Sequence, residues 1–174
     1  MSRSTTALAA LAAAGLIALT ATTAAVAAPR VATNTMCLDV GGSRDNGDHV
    51  KIWQCQSPGF GNQNFVIDSG QIKVKDTIGT GREMCLDVGG SRNNGDHVKI
   101  WQCQSPGFGN QNFVIDSGQI KVKDTIGTGR EMCLDVGGSR NNGDRVKIWQ
   151  CQSPGFGNQN FVIDSGQIKV KDTI

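Results

Sequence analysis

The sequence predicts an all-β fold in which three copies of one four-stranded unit close into a barrel. Three observations predict it: a 48-residue internal repeat, short stretches in which apolar and polar residues alternate, and turn-rich segments between those stretches. The composition agrees, because 23 glycines and an aromatic content of 5% suit short strands and tight turns better than broad apolar helix faces. No segment of the sequence carries the 3.6-residue apolar period of an amphipathic helix.

The charge of the 174-residue chain is nearly balanced. Its net charge is +2, from 17 Lys and Arg against 15 Asp and Glu. This balance argues against nucleic-acid binding through bulk charge and against a polybasic membrane-surface protein. We therefore expect no nucleic-acid partner and no membrane insertion.

The N-terminal segment, residues 1–27, has the pattern of a secretory signal peptide. One arginine precedes an Ala- and Leu-rich run, and Ala25–Ala27 fits the A-x-A cleavage pattern. A retained membrane anchor is the alternative, but threonines dilute the end of the apolar run. We expect a mature, secreted, monomeric domain over 28–174 that begins at Ala28.

The repeat defines the organisation of this domain. The sequence MCLDVGGSR begins at three methionines spaced by 48 residues, which gives units over 36–83, 84–131 and 132–174. The units differ at two aligned positions, occupied by Asp45, Asn93 and Asn141 and by His49, His97 and Arg145.

Each unit shows four strand patterns. In the first unit they cover 36–40, 49–55, 64–68 and 71–77. Alternation within the second pattern places Val50 and Ile52 on one face and Lys51 and Trp53 on the other. The residues predicted for the core of this unit are Leu38, Val40, Val50, Ile52, Phe65, Ile67, Ile72, Val74 and Ile78.

Twelve predicted strands in three units favour a β-trefoil. A propeller needs at least four blades, and a solenoid would show distinct capping repeats. Near-identical β units that must hide their edges are better served by a closed, threefold-symmetric barrel. Residues 31–35 precede the first unit as 79–83 precede the second, so we expect the two ends of the array to meet and close the ring.

The six cysteines allow two symmetric disulfide schemes. One joins cysteines within a unit, as Cys37–Cys55, Cys85–Cys103 and Cys133–Cys151, and the other joins successive units, as Cys55–Cys85, Cys103–Cys133 and Cys151–Cys37. Zinc binding is the alternative, but no CxxC spacing occurs and the histidine position becomes arginine in the third unit. We therefore expect disulfides and no metal or other cofactor.

At this point the motifs resemble a known family. Cys-Leu-Asp-Val, then Asn-Gly, Val-Lys-Ile-Trp-Gln-Cys and Asn-Gln-Asn-Phe together are similar to the repeat of ricin B-chain type lectins, also found in family 13 carbohydrate-binding modules. The resemblance covers 36–174, three times over. It implies a β-trefoil, often with a disulfide inside each repeat, that binds galactose-like or xylan-type sugars.

For the first unit the resemblance implies a sugar site. Asp39 takes the place of the family's Asp that hydrogen-bonds sugar hydroxyls, and Trp53 takes the place of its aromatic platform. Asn62 matches the second polar contact, and Gln63 matches the Gln of the QxW motif, which supports the pocket. Lys51 stands where the family often has Gln, and a Lys donor suits a sugar hydroxyl or an acidic glycan. The corresponding residues of the other units are Asp87, Lys99, Trp101, Asn110 and Gln111, then Asp135, Lys147, Trp149, Asn158 and Gln159.

The chemistry of sugars agrees with this assignment. A pyranose offers a patch of C–H groups and a rim of hydroxyls, so a site needs an aromatic plate and a few fixed polar groups. By alternation, Asp39 and Trp53 face outward from their strands. Each residue also has a structural interpretation: Trp53 as a lid over the barrel end, Asp39 as a cap of the following turn, and Asn62 as a turn former.

These patterns favour a secreted, non-catalytic carbohydrate-binding protein with up to three equivalent sites. An enzyme is disfavoured, because catalysis usually needs an acid and a base in different environments, and the units are nearly identical. The alternatives are a protein-binding trefoil, such as an extracellular inhibitor or adhesin, and an orphaned binding module of a secreted glycosidase.

Overall fold

Twelve short strands make up the fold of the described residues. The computed structural model describes residues 34–56, 61–105, 108–153 and 156–174, so the predicted signal peptide and Ala28 lie outside the described residues. In chain order the strands are β1 (Met36–Asp39), β2 (Lys51–Gln54), β3 (Phe65–Asp68), β4 (Gln71–Val74), β5 (Met84–Asp87), β6 (Lys99–Gln102), β7 (Phe113–Asp116), β8 (Gln119–Val122), β9 (Met132–Asp135), β10 (Lys147–Gln150), β11 (Phe161–Asp164) and β12 (Gln167–Val170).

The described part of each unit contains two 3-10 turns, one before its third strand and one after its fourth strand. They are Gly61–Gln63, Lys75–Thr77, Gly109–Gln111, Lys123–Thr125, Gly157–Gln159 and Lys171–Thr173. The fourth strand of each unit is therefore shorter than predicted, because the Thr77 hydroxyl donates to the carbonyl of Val74 at 2.7 Å and closes a turn where the strand pattern continues. Within the described ranges, no helix has the length and apolar character needed to cross a bilayer.

Three antiparallel sheets combine strands from adjacent units. Their orders are β3-β4-β5-β6, β7-β8-β9-β10 and β11-β12-β1-β2. In the third sheet the two ends of the array meet, since the backbone N–H of Met36 donates to the Thr173 hydroxyl at 2.9 Å. Met84 makes the same 2.9 Å bond to Thr77 inside the chain. The prediction that the ends close the ring is confirmed.

Backbone hydrogen bonds close the barrel around a threefold axis. The N–H of Val50 donates to the carbonyl of Val98 at 3.0 Å, Val98 donates to Val146 at 2.9 Å, and Val146 donates back to Val50 at 2.9 Å. This cycle joins the second strand segments of all three units. It also brings together the residues just before the valines, which are His49, His97 and Arg145. The ring centroids of His49 and His97 are 5.3 Å apart. The architecture is the predicted β-trefoil.

The core contains equivalent residues from each unit. In the first unit the buried apolar side chains are Met36, Leu38, Val40, Val50, Ile52, Phe65, Ile72 and Val74. Two predictions were wrong, because Ile67 and Ile78 are each 41% exposed. Ile67 lies opposite Ile72 on β3, an edge strand of its sheet, and Ile78 follows the 3-10 turn that ends the fourth strand. Met36 was missed, although it lies on the central strand β1.

Candidate functional site

A surface cavity of about 250 Å³ recurs in each unit. In the first unit it is lined by Asp39, Gly41, Gly42, Lys51, Trp53, Gln56 and Asn62. In the second it is lined by Asp87, Gly89, Gly90, Lys99, Trp101, Gln104 and Asn110, and in the third by Asp135, Gly137, Gly138, Lys147, Trp149, Gln152 and Asn158. Four of the five predicted site residues of each unit therefore line one cavity, and the fifth, the QxW glutamine, does not.

The carboxylate of Asp39 is the hub of the first cavity. Its Oδ1 accepts the backbone N–H of Gly41 at 2.7 Å, and its Oδ2 accepts Asn62 Nδ2 at 2.8 Å and Gln63 Nε2 at 3.0 Å. A carboxylate offers about four lone-pair positions, so these three bonds leave one for an outside donor. The turn-capping interpretation of Asp39 is thus correct for one oxygen, while the other oxygen organises the cavity.

Asp39 does not face outward as predicted. Its exposed fraction is 2%, because Gly41, Asn62 and Gln63 surround its carboxylate, and every residue of β1 is buried. Alternation assigns a face correctly only where one side of a strand meets solvent. The Asp39 side chain reaches the cavity as part of its wall rather than as a surface group.

The same network recurs in the other units. Asp87 accepts Gly89 N–H at 2.7 Å, Gln111 at 3.0 Å and Asn110 at 3.4 Å. In the third unit, Asp135 makes the corresponding bonds at 2.7, 3.0 and 2.9 Å. The floors of the three cavities are therefore equivalent.

Gln63 lies beneath the cavity and is fully buried. Its Nε2 donates to Asp39 and also to the Gln54 carbonyl at 3.2 Å, while its Oε1 accepts the backbone N–H of Gln56 at 2.8 Å. One side chain thus ties the carboxylate to the segment that follows β2.

The aromatic wall is an exposed tryptophan next to a lysine. Trp53 is 37% exposed, and its ring faces the cavity rather than closing the barrel end. The ammonium of Lys51 lies 5.2 Å from the ring centroid, a cation–π contact that recurs at 5.1 Å in the second unit and at 5.0 Å in the third. Each of these tryptophan rings therefore has a positive charge next to it.

Each cavity is bordered by a turn from another unit. A Cβ placed on Gly143 would lie 3.9 Å from Cζ3 of Trp53, and Asn142 Oδ1 accepts the Gln54 N–H at 2.7 Å. The turn of the first unit borders Trp101 in the same way, and the turn of the second borders Trp149. The sequence analysis missed these contacts, because the spacing inside one repeat does not show which turn reaches which cavity.

Arg44 holds in place the glycine loop, Gly41 and Gly42, that lines the first cavity. Its Nη1 donates to the Gly41 carbonyl at 2.7 Å, and its Nε and Nη2 donate to the Asp76 carboxylate at 3.0 and 2.7 Å. This bidentate pair is of the stronger class of charged hydrogen bonds. It anchors the loop to the 3-10 turn that follows β4.

Gln56 is a second residue that sequence reasoning missed. It lines the cavity, and among the described residues its buried Oε1 has no hydrogen-bond partner. Gln104 and Gln152 have the same unpaired acceptor in their cavities. A buried acceptor without a donor is costly, so a hydroxyl donor in the cavity would be stabilised there.

The disulfides decide between the two predicted schemes. The bonds join cysteines within each unit: Cys37–Cys55, Cys85–Cys103 and Cys133–Cys151. Because all six thiols are consumed, zinc ligation by these cysteines is excluded. In the described part of the chain, no group of three or more His, Cys, Asp or Glu side chains is placed to hold a metal ion.

Solved structures with a similar fold include natural and designed proteins. The Vibrio vulnificus hemolysin/cytolysin β-trefoil lectin, solved with N-acetyl-D-lactosamine bound, is 20% identical with a TM-score of 0.53, covering 73% of this chain and 83% of that one. The designed threefold-symmetric protein ThreeFoil is 22% identical with a TM-score of 0.55, covering 79% and 92%. The C-half of the earthworm R-type lectin, in complex with GalNAc, is 17% identical with a TM-score of 0.55, covering 78% and 96%. At these identities the likeness concerns the fold.

The sequence itself gives the family. A comparison with curated proteins gives no match. The model of the ricin-type beta-trefoil lectin domain matches residues 30–125 and again residues 77–173, which together span most of the chain. The chain belongs to the ricin-type beta-trefoil lectin family.

Proposed function

We propose that the protein is a secreted, non-catalytic lectin with three equivalent sugar sites, one in each repeated cavity. The observation that carries the proposal is the threefold recurrence of one arrangement: an exposed tryptophan beside a buried carboxylate that keeps a free acceptor position.

Each group in the cavity has a distinct task toward a pyranose. Trp53 offers a flat apolar surface to the C–H face of the sugar, which is the usual role of aromatic side chains in such sites. The remaining acceptor of Asp39 and the unpaired Oε1 of Gln56 receive two sugar hydroxyl protons. Asn62, already bonded to Asp39, offers its carbonyl oxygen as a further acceptor.

Galactose-type sugars are the first ligands to test. The Vibrio and earthworm structures hold N-acetyl-D-lactosamine and GalNAc, and the family resemblance adds xylan-type sugars. Lys51 replaces the family's frequent glutamine, so its ammonium donates to a hydroxyl that an amide would otherwise contact. Its position beside Trp53 places that donor at the edge of the stacked ring.

Binding without catalysis fits the carboxyl groups of the cavity. Glycoside hydrolysis commonly uses two carboxyl groups on either side of the scissile bond, about 5–10 Å apart. Each cavity is lined by a single carboxylate, and that carboxylate is committed to three internal hydrogen bonds in the first unit. We therefore propose sugar retention, not cleavage, as the activity.

Secretion is part of the same proposal. Three disulfides support an oxidising compartment, where such bonds persist. Expression with the full N-terminal segment should release a protein that begins at Ala28 and has no free thiol, as measured by intact mass with and without alkylation. A full-length cytoplasmic product would contradict this part of the proposal.

A glycan array followed by calorimetry tests the function. The array should present galactosides, xylan fragments and uronic acids, and the best free sugar should then bind with a stoichiometry of three. The variant with alanine at Trp53, Trp101 and Trp149 should bind nothing. A matched control replaces the exposed Ile67, Ile115 and Ile163 with alanine, outside the cavities, and should bind as the wild type does. Absence of binding to every glycan by the folded wild type would refute the lectin proposal.

A further inference from the structure

A second, larger cavity adjoins the sugar site of the first unit. Its volume is about 420 Å³, and it is lined by Val40, Gly41, Gly42, Ser43, Asp48, His49, Lys51, Gly143 and Arg145. Three of these residues, Gly41, Gly42 and Lys51, also line the cavity that contains Trp53. The two cavities therefore share a wall, and a ligand longer than one sugar ring can occupy both.

The lining of the second cavity is rich in cations. Lys51 and Arg145 face each other in an isolated antiparallel bridge, and His49 lies on the same rim. The cavity has one carboxylate, Asp48, whose Oδ2 accepts the Ser43 hydroxyl at 2.5 Å and the Asp45 N–H at 3.0 Å. Part of its charge is thus compensated inside its own turn, while Lys51, His49 and Arg145 line the same cavity.

The electrostatics at His49 agree with an excess of positive charge. Burial lowers the pKa of this imidazole first, and Arg145, His97 and Lys99 lower it further, while Asp48 acts in the opposite direction. The group therefore lies in a positive potential contributed by the second and third units. An anion placed here would stabilise every one of these cations.

This arrangement is unique to the first site. The residues that form the isolated bridges with Lys99 and Lys147 are His49 and His97, but the partner of Lys51 is Arg145. A guanidinium is always charged and matches the planar fork of a carboxylate or the oxygens of a sulfate, whereas an imidazole is mostly neutral above its pKa. The position that holds His49, His97 or Arg145 therefore sets the charge beside one sugar site.

We propose that the cavity between Lys51, His49 and Arg145 is an anion subsite that takes the carboxylate or sulfate of an acidic saccharide. A neighbouring neutral ring of the same saccharide lies against Trp53. The inference rests on the proposed function, and it makes one of the three sites selective for acidic glycans. Charge-assisted, bidentate hydrogen bonds to Arg145 supply the selectivity.

Matched pairs of ligands test the subsite by calorimetry. The pairs are lactose with 3′-sulfated lactose, and xylotriose with xylotriose that carries a glucuronic acid branch. In the wild type, one site should bind the acidic member of at least one pair about tenfold more tightly than the neutral member, the effect of one charged hydrogen bond or two. The preference should shrink between low salt and physiological salt, because the rim is accessible to solvent.

Substitutions make the test specific to Arg145. Arg145→His gives the third unit the residue that the other two units already have, so it should fold normally and lose the acidic preference while neutral sugars still bind at three sites. Arg130→His removes the same charge from an exposed position outside both cavities and should keep the preference. Equal affinity for both members of both pairs in the wild type would overturn the subsite and leave the lectin standing. Failure of every saccharide, neutral or acidic, would overturn both.

The two histidines of the chain give an independent readout, since both lie at this axis. Titration of the wild type with the acidic saccharide should raise the pKa of His49, measured from imidazole NMR shifts, and the neutral partner should not. Inorganic sulfate is the comparison ligand. If sulfate alone raises the pKa and the acidic saccharide does not, the cavity holds free anions, and the proposal of an acidic-glycan subsite is wrong.

Discussion

The floor of each repeated cavity is the same in all three units, whereas its border is not. The floor consists of Asp39 and Asn62, with Gln63 bonded beneath it; these residues and their counterparts are identical in all units and bonded within one unit. The border is the turn over 45–49, 93–97 or 141–145, which contains both positions at which the units differ and contacts the tryptophan of another unit. Near-perfect repetition in sequence therefore gives three identical floors with three different borders.

The largest effect is expected from removing the carboxylate at the floor of one cavity. Asp39→Ala leaves the donors of Gly41, Asn62 and Gln63 without their acceptor, so it should abolish the first site and lower the free energy of unfolding by about 1–3 kcal/mol. Denaturant unfolding and calorimetric stoichiometry, three falling to two, measure the two effects. The control Asp68→Ala removes an exposed carboxylate paired with Lys73 and should cost less stability and no sugar site. Undiminished binding by Asp39→Ala would contradict the role given to the floor.

Replacing one of the three tryptophans should remove one sugar site and lower the free energy of unfolding only slightly. Trp53→Ala deletes an exposed side chain, and we expect the stoichiometry for free sugar to fall from three to two with the other affinities unchanged. Repeating the change at Trp101 should leave one site. Retention on a glycan-coated surface should fall much more steeply, because simultaneous contacts raise avidity by about 10²–10⁴. Loss of all free-sugar binding after one substitution would mean that the three cavities do not act separately.

A change in the border should act across the unit boundary. Gly143→Ala strains the backbone of a turn residue whose φ is +93° and whose Cβ would lie 3.9 Å from Trp53, so relaxation of the turn should move it against the ring and weaken sugar binding at the first site, although the residue belongs to the third unit. The left-handed backbone adds a penalty of about 1 kcal/mol to stability. The resonance of one of the three indole N–H groups should respond differently to sugar.

Gly129→Ala separates the two effects of that substitution. Its φ is +78°, and a Cβ there meets nothing within 4 Å, so the variant should lose similar stability and bind sugar normally. If both alanine variants bind sugar equally well, the border is not part of the neighbouring site.

The smallest effect concerns pH. Burial and the surrounding cations hold the pKa of His49 below its ordinary value of 6.5. The neutral imidazole is thus favoured by folding, so its contribution is complete above pH 6.5 and is lost as the pH falls through and below that value. The melting temperature of the wild type should therefore drop slightly more between pH 8 and pH 5 than that of His49→Gln. An identical pH profile for the two proteins would contradict the positive potential at the axis.

Sequence reasoning predicted the cavity-lining residues that depend on one strand or one motif. Trp53 was placed correctly by alternation on β2, and Asn62 by the family motif, and both line the cavity. Asp39 also lines the cavity, but it was expected to face solvent, because the pattern of β1 does not reveal that Gly41, Asn62 and Gln63 surround its carboxylate. The choice between two disulfide schemes likewise needed three-dimensional proximity.

The contacts between units could not be predicted from the sequence. Arg44 and Gln56 carry no motif of their own, and their importance appears only when the glycine loop and the segment after β2 meet at the cavity. Which turn borders which tryptophan depends on the direction in which the ring closes. Local periodicity does not contain that information, and near-identical repeats make it harder to extract.

The division of each sheet between units has a consequence for assembly. Every sheet joins two strands of one unit to two strands of the next, and the joining surfaces are almost the same at all three boundaries. A unit from a second molecule therefore presents the same surface as the unit next along its own chain, which is the condition for domain swapping. The short linkers keep the local partner at a high effective concentration, so intramolecular closure wins in dilute solution. Refolding at high protein concentration should instead yield exchanged dimers and larger rings in which every cavity is intact, but a cavity next to an exchanged boundary has its border from another molecule.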